Sequence, residues 1–194
     1  MTPAGTAIHQ FLARWDIHNP ALVEALVDCA KPASYEKASV ILRAGDPATH
    51  VGIIRRGLVR YYYSSADGKF WNKAFYTEGD LITAASAGLT NSPSPFTIEA
   101  LEPTDIVLMP YDRLAELQQS FAELGELVAR MITHAFIRNE RREAMLLTKN
   151  AEQRFQRLLT EEAHLFRRVP QFHLASYIGI DAVSLSRIKR KLEN

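Results

Sequence analysis

Apolar and polar positions change rhythm three times along the chain. Thr6–Trp15 and Ala21–Cys29 carry apolar residues at helical spacing. Asn19-Pro20 between them is a helix start: Asn caps free amides, and Pro suits the first helical position. Lys31-Pro32 closes this part. From Ala38 the period shortens. Val40–Leu42, Val51–Ile54, Leu58–Tyr63, Phe70–Tyr76, Leu81–Thr83, Thr97–Ala100 and Ile106–Met109 are short apolar or β-branched runs. Gly45-Asp46-Pro47, Arg56-Gly57, Asp67-Gly68, Gly79-Asp80 and Pro103-Thr104-Asp105 separate them. Such punctuation predicts an antiparallel sandwich or roll. Asp67-Gly68 predicts a tight hairpin, because both residues tolerate positive φ.

After Pro110 the period lengthens again. Ser120-Phe121-Ala122-Glu123 reads as a capping box opening a helix from Phe121 to Leu147, uninterrupted by proline. Such a helix is about 40 Å long. Leu124, Leu127, Val128, Met131, Ile132, Ala135 and Phe136 form its apolar stripe, continued farther on by Ile137, Ala144, Met145 and Leu147. A helix of this length outreaches a small roll, so a second copy of the chain is its expected partner. The alternative is burial against its own sheet, and Arg138, Glu140, Arg141 and Arg142 interrupt the stripe midway. No internal repeat or low-complexity segment is present.

Residues 171–190 meet the demands of a helix-turn-helix. Ala175 is small where two helices must cross, and Gly179, four residues on, permits the sharp turn. Leu174, Ile178, Ile180, Leu185 and Ile188 plug the angle, and Asp181 can cap the second helix. That helix, Ala182–Leu192, is expected in a major groove. Ala182, Val183, Ser186, Arg187 and Arg190 point away from the plug. Arg187 suits bidentate reading of guanine, and Ala182 or Val183 a thymine methyl. Ser184, Lys189, Arg190 and Lys191 suit phosphates. The competing reading of Lys189-Arg190-Lys191 is a basic helix end that complements the dipole.

Charge sharpens this picture. Residues 1–129 hold 10 basic and 15 acidic side chains, whereas residues 130–194 hold 13 basic and 7 acidic ones. A near-neutral total therefore hides a basic C-terminal third, which is either a nucleic-acid-facing end or a solvated helical face. In composition, 47% apolar and 23% charged residues exclude disorder, collagen and a disulfide scaffold. The single cysteine, Cys29, excludes an internal disulfide and a Cys-based zinc or iron–sulfur centre. The six scattered histidines show no metal spacing, so no metal and no cofactor is expected. Neither a membrane span nor a signal peptide is expected, which makes the cytoplasm the expected location.

The order roll, long helix, helix-turn-helix resembles the Crp/Fnr family of bacterial transcription regulators, from about Ala21 to Asn194. The matching segments are Ile41–Asp46, Ile54–Arg60, Asp67-Gly68, Phe75–Ile82 and Ile178–Ile188. The resemblance implies an α+β fold in three parts. These are an antiparallel β-roll of cyclic-nucleotide-binding type with N-terminal helices (1–119), a dimerisation helix and hinge (120–150), and a winged-helix-type helix-turn-helix lacking the last wing strands (151–194). It implies double-stranded DNA and a second copy of the chain as partners, with RNA polymerase as a further one.

The chain departs from the family at the effector site. The family's ribose-holding Gly-Glu pair falls on Thr83-Ala84, and its phosphate-holding Arg-Ser or Arg-Thr pair falls on Ser94-Pro95. No arginine lies between Tyr61 and Asp112, and Lys69 and Lys73 belong to another turn and strand. A buried phosphate without a cation is costly, so the roll is not expected to bind cyclic AMP in the usual way. Thr83, Ala84, Ala85, Ser86, Ser94, Pro95 and Phe96, with Asn139 from the long helix, mark the expected pocket, whose effector is unknown. Ala182-Val183 replaces the family's usual Arg-Glu, which implies a different operator. Two other classes compete with a regulator: a protein-interaction or ligand-sensing module that does not bind DNA, and a cupin-like enzyme. The enzyme needs clustered metal ligands, yet the strands hold only His50.

Overall fold

The computed structural model describes residues 2–193, with Leu192 and Glu193 as backbone only. Met1 and Asn194, the ends of the expected first and third parts, lie outside it. Two helices open the chain, α1 (Pro3–Ala13) and α2 (Pro20–Cys29). The Thr2 and Asn19 side chains cap them, each followed by proline at the first helical position. Eight strands follow: β1 (Lys31–Tyr35), β2 (Val40–Leu42), β3 (His50–Arg56), β4 (Val59–Ser64), β5 (Phe70–Tyr76), β6 (Leu81–Ile82), β7 (Thr97–Ala100) and β8 (Thr104–Pro110). A short helix, α3 (Ala85–Thr90), interrupts them after β6. The strands form two antiparallel sheets, ordered β1-β8-β3-β6 and β2-β7-β4-β5. β1 replaces the closing segment expected at Lys31-Pro32. It pairs only with β8, and such an edge position tolerates Pro32.

The sequence alternation sorts these strands between three cores. On β3 and β8, Val51, Ile53, Val107 and Met109 pack outward on α1 and α2. Ile54 and Ile106, from the same strands, pack inward against Val59, Tyr61, Ala74 and Ile98 of the second sheet. Gly52 lies between the two sets; a Cβ there would come within 2.6 Å of Ile106. The third core lies on the outer side of the second sheet. It joins Leu58, Phe75 and Leu101 to the C-terminal helices. The molecule is thus a layered stack of helices, sheet, sheet and helices, with apolar contact at every boundary.

Two further helices lead out of the roll: α4 (Tyr111–Ser120) and the long α5 (Ala122–Thr148). The expected capping box does not form. Ser120 ends α4, and Phe121 occupies the N-cap in extended conformation without a side-chain cap. Glu123 instead accepts a hydrogen bond from Asn19 Nδ2 at 2.7 Å. The stripe on α5 divides. Leu124 and Leu127 are buried against α1 and α2, with Met131 packed beside them, rather than facing a second chain. This corrects the assignment of Leu124 and Leu127 to a dimer seam: the first turns of α5 complete the N-terminal core. Ile132 and Phe136 remain 44% and 61% exposed.

The C-terminal lobe comprises α6 (Ala151–Glu161), a 3₁₀ turn (Ala163–Arg167), α7 (Gln171–Tyr177) and α8 (Ala182–Glu193). A full capping box between Asn150 and Gln153 opens α6. The lobe is seated on the roll by its apolar core and by polar contacts. Arg60 makes a paired ion bridge to Glu99, Nε to Oε1 at 3.0 Å and Nη2 to Oε2 at 3.1 Å. Its Nη1 donates to His173 Nδ1 at 2.9 Å. Asn72 Nδ2 donates to the His173 carbonyl at 2.9 Å, and the Asn72 amide donates to Ser176 Oγ at 3.0 Å. Arg142 of α5 donates to the carbonyls of both Asn72 and Tyr177 and lies over the Tyr177 ring. Arg168 bridges Glu78 and Glu102 on two turns of the roll.

Two consequences can be measured. Leu58 sits on the roll but is fully buried with Phe155 and Leu165 of the lobe. Leu58→Ala is expected to cost about 2–5 kcal/mol, with roll and lobe unfolding in one denaturant transition. Acid acts first at His173. Burial, with the nearby Arg60 guanidinium, holds its imidazole down at about 4, against an ordinary 6.5. The folded state thus favours neutral imidazole. That stabilisation is complete above pH 6.5 and is lost as pH falls towards about 4. The Arg168 guanidinium, helped by the Gly57 amide, holds Glu78 at about 2, so its share is lost only between 4.5 and about 2. His173→Asn keeps an acceptor and removes the titration. Equilibrium unfolding against pH should then be flat between 6.5 and 4 except for whatever carboxylates contribute.

Candidate functional site

The bend between α7 and α8 is built as the sequence anticipates. Gly179 takes φ +70°, where a side chain is strained, and Leu146 of α5 packs beside it. Ala175 is buried at the crossing, and Leu174, Ile178, Leu185 and Ile188 fill the angle. Asp181 Oδ1 accepts from the Ser184 amide at 2.7 Å, capping α8. The donors of Ser184, amide first, hold the Asp181 carboxyl below its ordinary range.

This packing fixes which side chains of α8 are offered outward. Asp181, Ala182, Val183, Ser186, Arg187, Arg190 and Lys191 are exposed, with Val183 61% accessible. Ser184 and Lys189 are half-buried. Ser184 also donates its hydroxyl to Asp181 Oδ2, so both its polar groups serve the cap instead of pointing to a phosphate. Lys191 Nζ pairs with Glu152 of α6 at 2.6 Å. The outer surface of α8 is therefore an apolar patch at Ala182 and Val183, followed along the same face by Arg187 and Arg190. It is open to solvent: the lobe is seated through α7, and α8 packs on α7 and α6.

The expected effector residues other than Asn139 lie on α3 and along the β6–β7 connection. Ala84 is buried, Ala85, Ser86 and Pro95 are exposed, and Asn139 stands exposed on α5. Phe96 is buried and stacks on Tyr61, ring centres 4.9 Å apart, and Tyr61 meets Tyr76 at 4.6 Å. The Tyr61 hydroxyl accepts from the Thr83 amide at 2.7 Å and donates to the Thr83 carbonyl at 3.2 Å. The Thr83 hydroxyl bonds Tyr111 Oη. Ser94 is buried and donates its hydroxyl to the Phe96 carbonyl at 2.7 Å. One sequence expectation needs revision here. Lys73 does not stay away from this site: its Nζ lies 5.7 Å from the rings of both Tyr63 and Phe96. An extra residue in β5, between the partners of Tyr61 and Tyr62, turns it that way.

Arg60, Asn72, Arg142 and Arg168 were not singled out by pattern. The signal available was Arg60 itself, a cation in the alternating run Leu58–Tyr63. Among the described residues there is no cluster of three metal-ligating side chains, and no helix is long and apolar enough to cross a membrane.

Residues 32–121 match the family model described as the cyclic nucleotide-binding domain. The chain is 25% identical to the anaerobic regulatory protein of Pasteurella multocida, over 88% of this chain and 65% of that protein. It is 26% identical to the transcriptional activator protein anr of Pseudomonas aeruginosa, over 79% and 66%. The chain thus spans just under two thirds of the length of these curated relatives. Among solved structures, FixK2 of Bradyrhizobium japonicum superposes with a TM-score of 0.72 at 23% identity, covering 84% of each chain. A protein of Eubacterium rectale assigned to the crp/fnr family superposes with 0.76 at 17% identity, covering 95% of this chain and 88% of that one. Roll, long helix and capped helix-turn-helix, in that order along one chain, give this protein the fold of the crp/fnr-family protein it superposes on, and its roll matches the cyclic nucleotide-binding domain in sequence.

Proposed function

We propose that the chain is a homodimeric, sequence-specific DNA-binding regulator of transcription. The observation that carries this reading is the outward face of α8: a capped helix at a fixed bend, offering Ala182, Val183, Ser186, Arg187 and Arg190 to solvent. Ala182 and Val183 suit the methyl of thymine, and Arg187 suits guanine O6 and N7. Arg190, Lys189 and Lys191 supply phosphate contacts, with Lys191 exchanging Glu152 for the backbone. A regulator of this kind works in the cytoplasm, with RNA polymerase as a further partner. The names of the curated relatives agree with this reading.

A duplex reader of this design needs two copies about 34 Å apart. The exposed face of α5 supports that requirement. Ile132 and Phe136 stand out from it, with Val128 and Ala135 half-buried at its margin. Charged residues from Arg138 to Glu143 interrupt the strip before Ala144, Met145 and the exposed Leu147.

The roll, in this reading, does not take cyclic AMP in the usual way. Thr83-Ala84 offers no ribose-binding carboxylate, and Ser94 keeps its hydroxyl on the Phe96 carbonyl. Tyr61, Tyr76 and Phe96 stack in the interior that a base would enter.

Band shifts on DNA from upstream of the chain's own coding region test this reading. Binding should fall steeply with salt. Arg187→Ala should cost about 1–3 kcal/mol on the preferred site and relax its sequence preference, while Lys189→Ala should weaken all sequences alike and lower the salt slope by about one. Affinity that ignores salt and both substitutions would remove the reading. Cyclic AMP at about 1 mM should leave the thermal midpoint unmoved, since a bound ligand would raise it by mass action.

A further inference from the structure

The sheet β2-β7-β4-β5 is buried on both faces, and the faces serve different parts of the molecule. Val59 and Tyr61 of β4 point into the roll, whereas Leu58 and Arg60 point to the lobe. On β7, Ile98 points inward and Glu99 outward to Arg60. On β5, Ala74 lies in the interior, whereas Phe75 meets the Tyr177 ring at 5.1 Å and Asn72 holds His173. Residues adjacent in sequence therefore touch the interior aromatics on one side and the helix-turn-helix on the other. The bulge on β5 adds a further such pair: the Lys73 Nζ lies 5.7 Å from the Phe96 ring, and its neighbour Asn72 bonds the lobe.

We propose that this sheet is a septum that couples packing inside the roll directly to the seating of the DNA-reading lobe, without passing through α5. Its consequence for regulation rests on the DNA-binding reading above, because seating sets the direction in which α8 meets a duplex. Tyr61 and Arg60 share a peptide unit, so any displacement that re-stacks Tyr61 on Phe96 carries the Arg60 guanidinium with it. Hydrogen bonds of 2.9–3.1 Å to His173 and Glu99 weaken steeply with misalignment. Close-packed layers on both sides leave no slack to absorb the shift. The alternative conduit is Arg142, which ties α5 to both Asn72 and Tyr177. Its Nη1 is buried with no hydrogen-bond partner among the described residues, so it is the less complete of the two connections. Coupling of this kind is reciprocal, and a loosened lobe must also loosen the interior.

Hydrogen exchange read by mass spectrometry on the full chain, without DNA, tests the septum. Phe96→Leu alters the interior stack without touching the lobe. It should speed amide exchange in residues 171–178 by about tenfold, leave residues 8–12 of the opposite core unchanged, and do so equally when Arg142→Met is added. Tyr61→Phe, which only removes the hydroxyl bonds to Thr83, should act in the same direction and serves if Phe96→Leu does not fold. Acceleration confined to the roll strands overturns the proposal. So does equal acceleration in residues 8–12, which is general loosening, and so does an effect abolished by Arg142→Met, which assigns the coupling to α5. None of these readings involves DNA. Loss of the septum would leave the DNA-binding reading standing, and band shifts that fail would leave the septum standing.

Discussion

A cation on a sheet face with no access to water is the constraint around which this molecule is arranged. Arg60 is 7% exposed, and removing a guanidinium from water costs several kcal/mol unless its donors are met. Glu99 meets two of them from the neighbouring strand. Another is met from outside the roll altogether, by His173. The roll is therefore incomplete without the lobe, and the lobe without Leu58 and Phe75 of the roll. Although the chain reads as separate parts, its third core belongs to both.

Seating of this kind changes what each part can do. The outward face of α8 is exposed to solvent, so docking of the lobe leaves it accessible and sets only its direction. The long helix, in turn, is not a free-standing rod. Its first turns close the core over α1 and α2, and Arg130, Arg138 and Arg142 lean back on Trp15, Tyr76 and Tyr177. The opposite face, centred on Ile132 and Phe136, stays exposed, and it is the strip that the proposed homodimer would use.

Features set by neighbours in sequence were legible from it. The turn at Gly179, the cap at Asp181, the plug of Leu174, Ile178 and Leu185, and the alternation of the strands all follow from local chemistry. What escaped has a common cause. Lys31-Pro32 looks like a break because proline rarely lies in a strand, and only pairing at a sheet edge makes it one. Ser120 and Glu123 have the spacing of a capping box, but α4 had already claimed Ser120 as helix. Lys73 seems remote from Phe96 until a one-residue bulge turns it. His173, one of six scattered histidines without metal spacing, is bonded by an arginine 113 positions away. Each depends on a partner distant in the chain, which no window of spacing contains.

The two polar attachments of the lobe differ in kind, and the difference bears on what each is for. Arg168 with Glu78 and Glu102 lies near solvent, where screening leaves such bridges worth little singly. The Arg60 network is buried, and replacing such a network by apolar groups of equal volume is often neutral or stabilising. Its value therefore lies in register. Leu58, Phe75 and Tyr177 would tolerate the lobe rotated by a small angle, since apolar contact has no direction. A guanidinium with Glu99 on one side and an imidazole nitrogen at 2.9 Å on the other does not. Apolar area thus holds the lobe to the roll, while Arg60 selects the single orientation in which it is held. On the proposed reading, in which α8 enters a groove in register with a second copy, that orientation is the functional quantity.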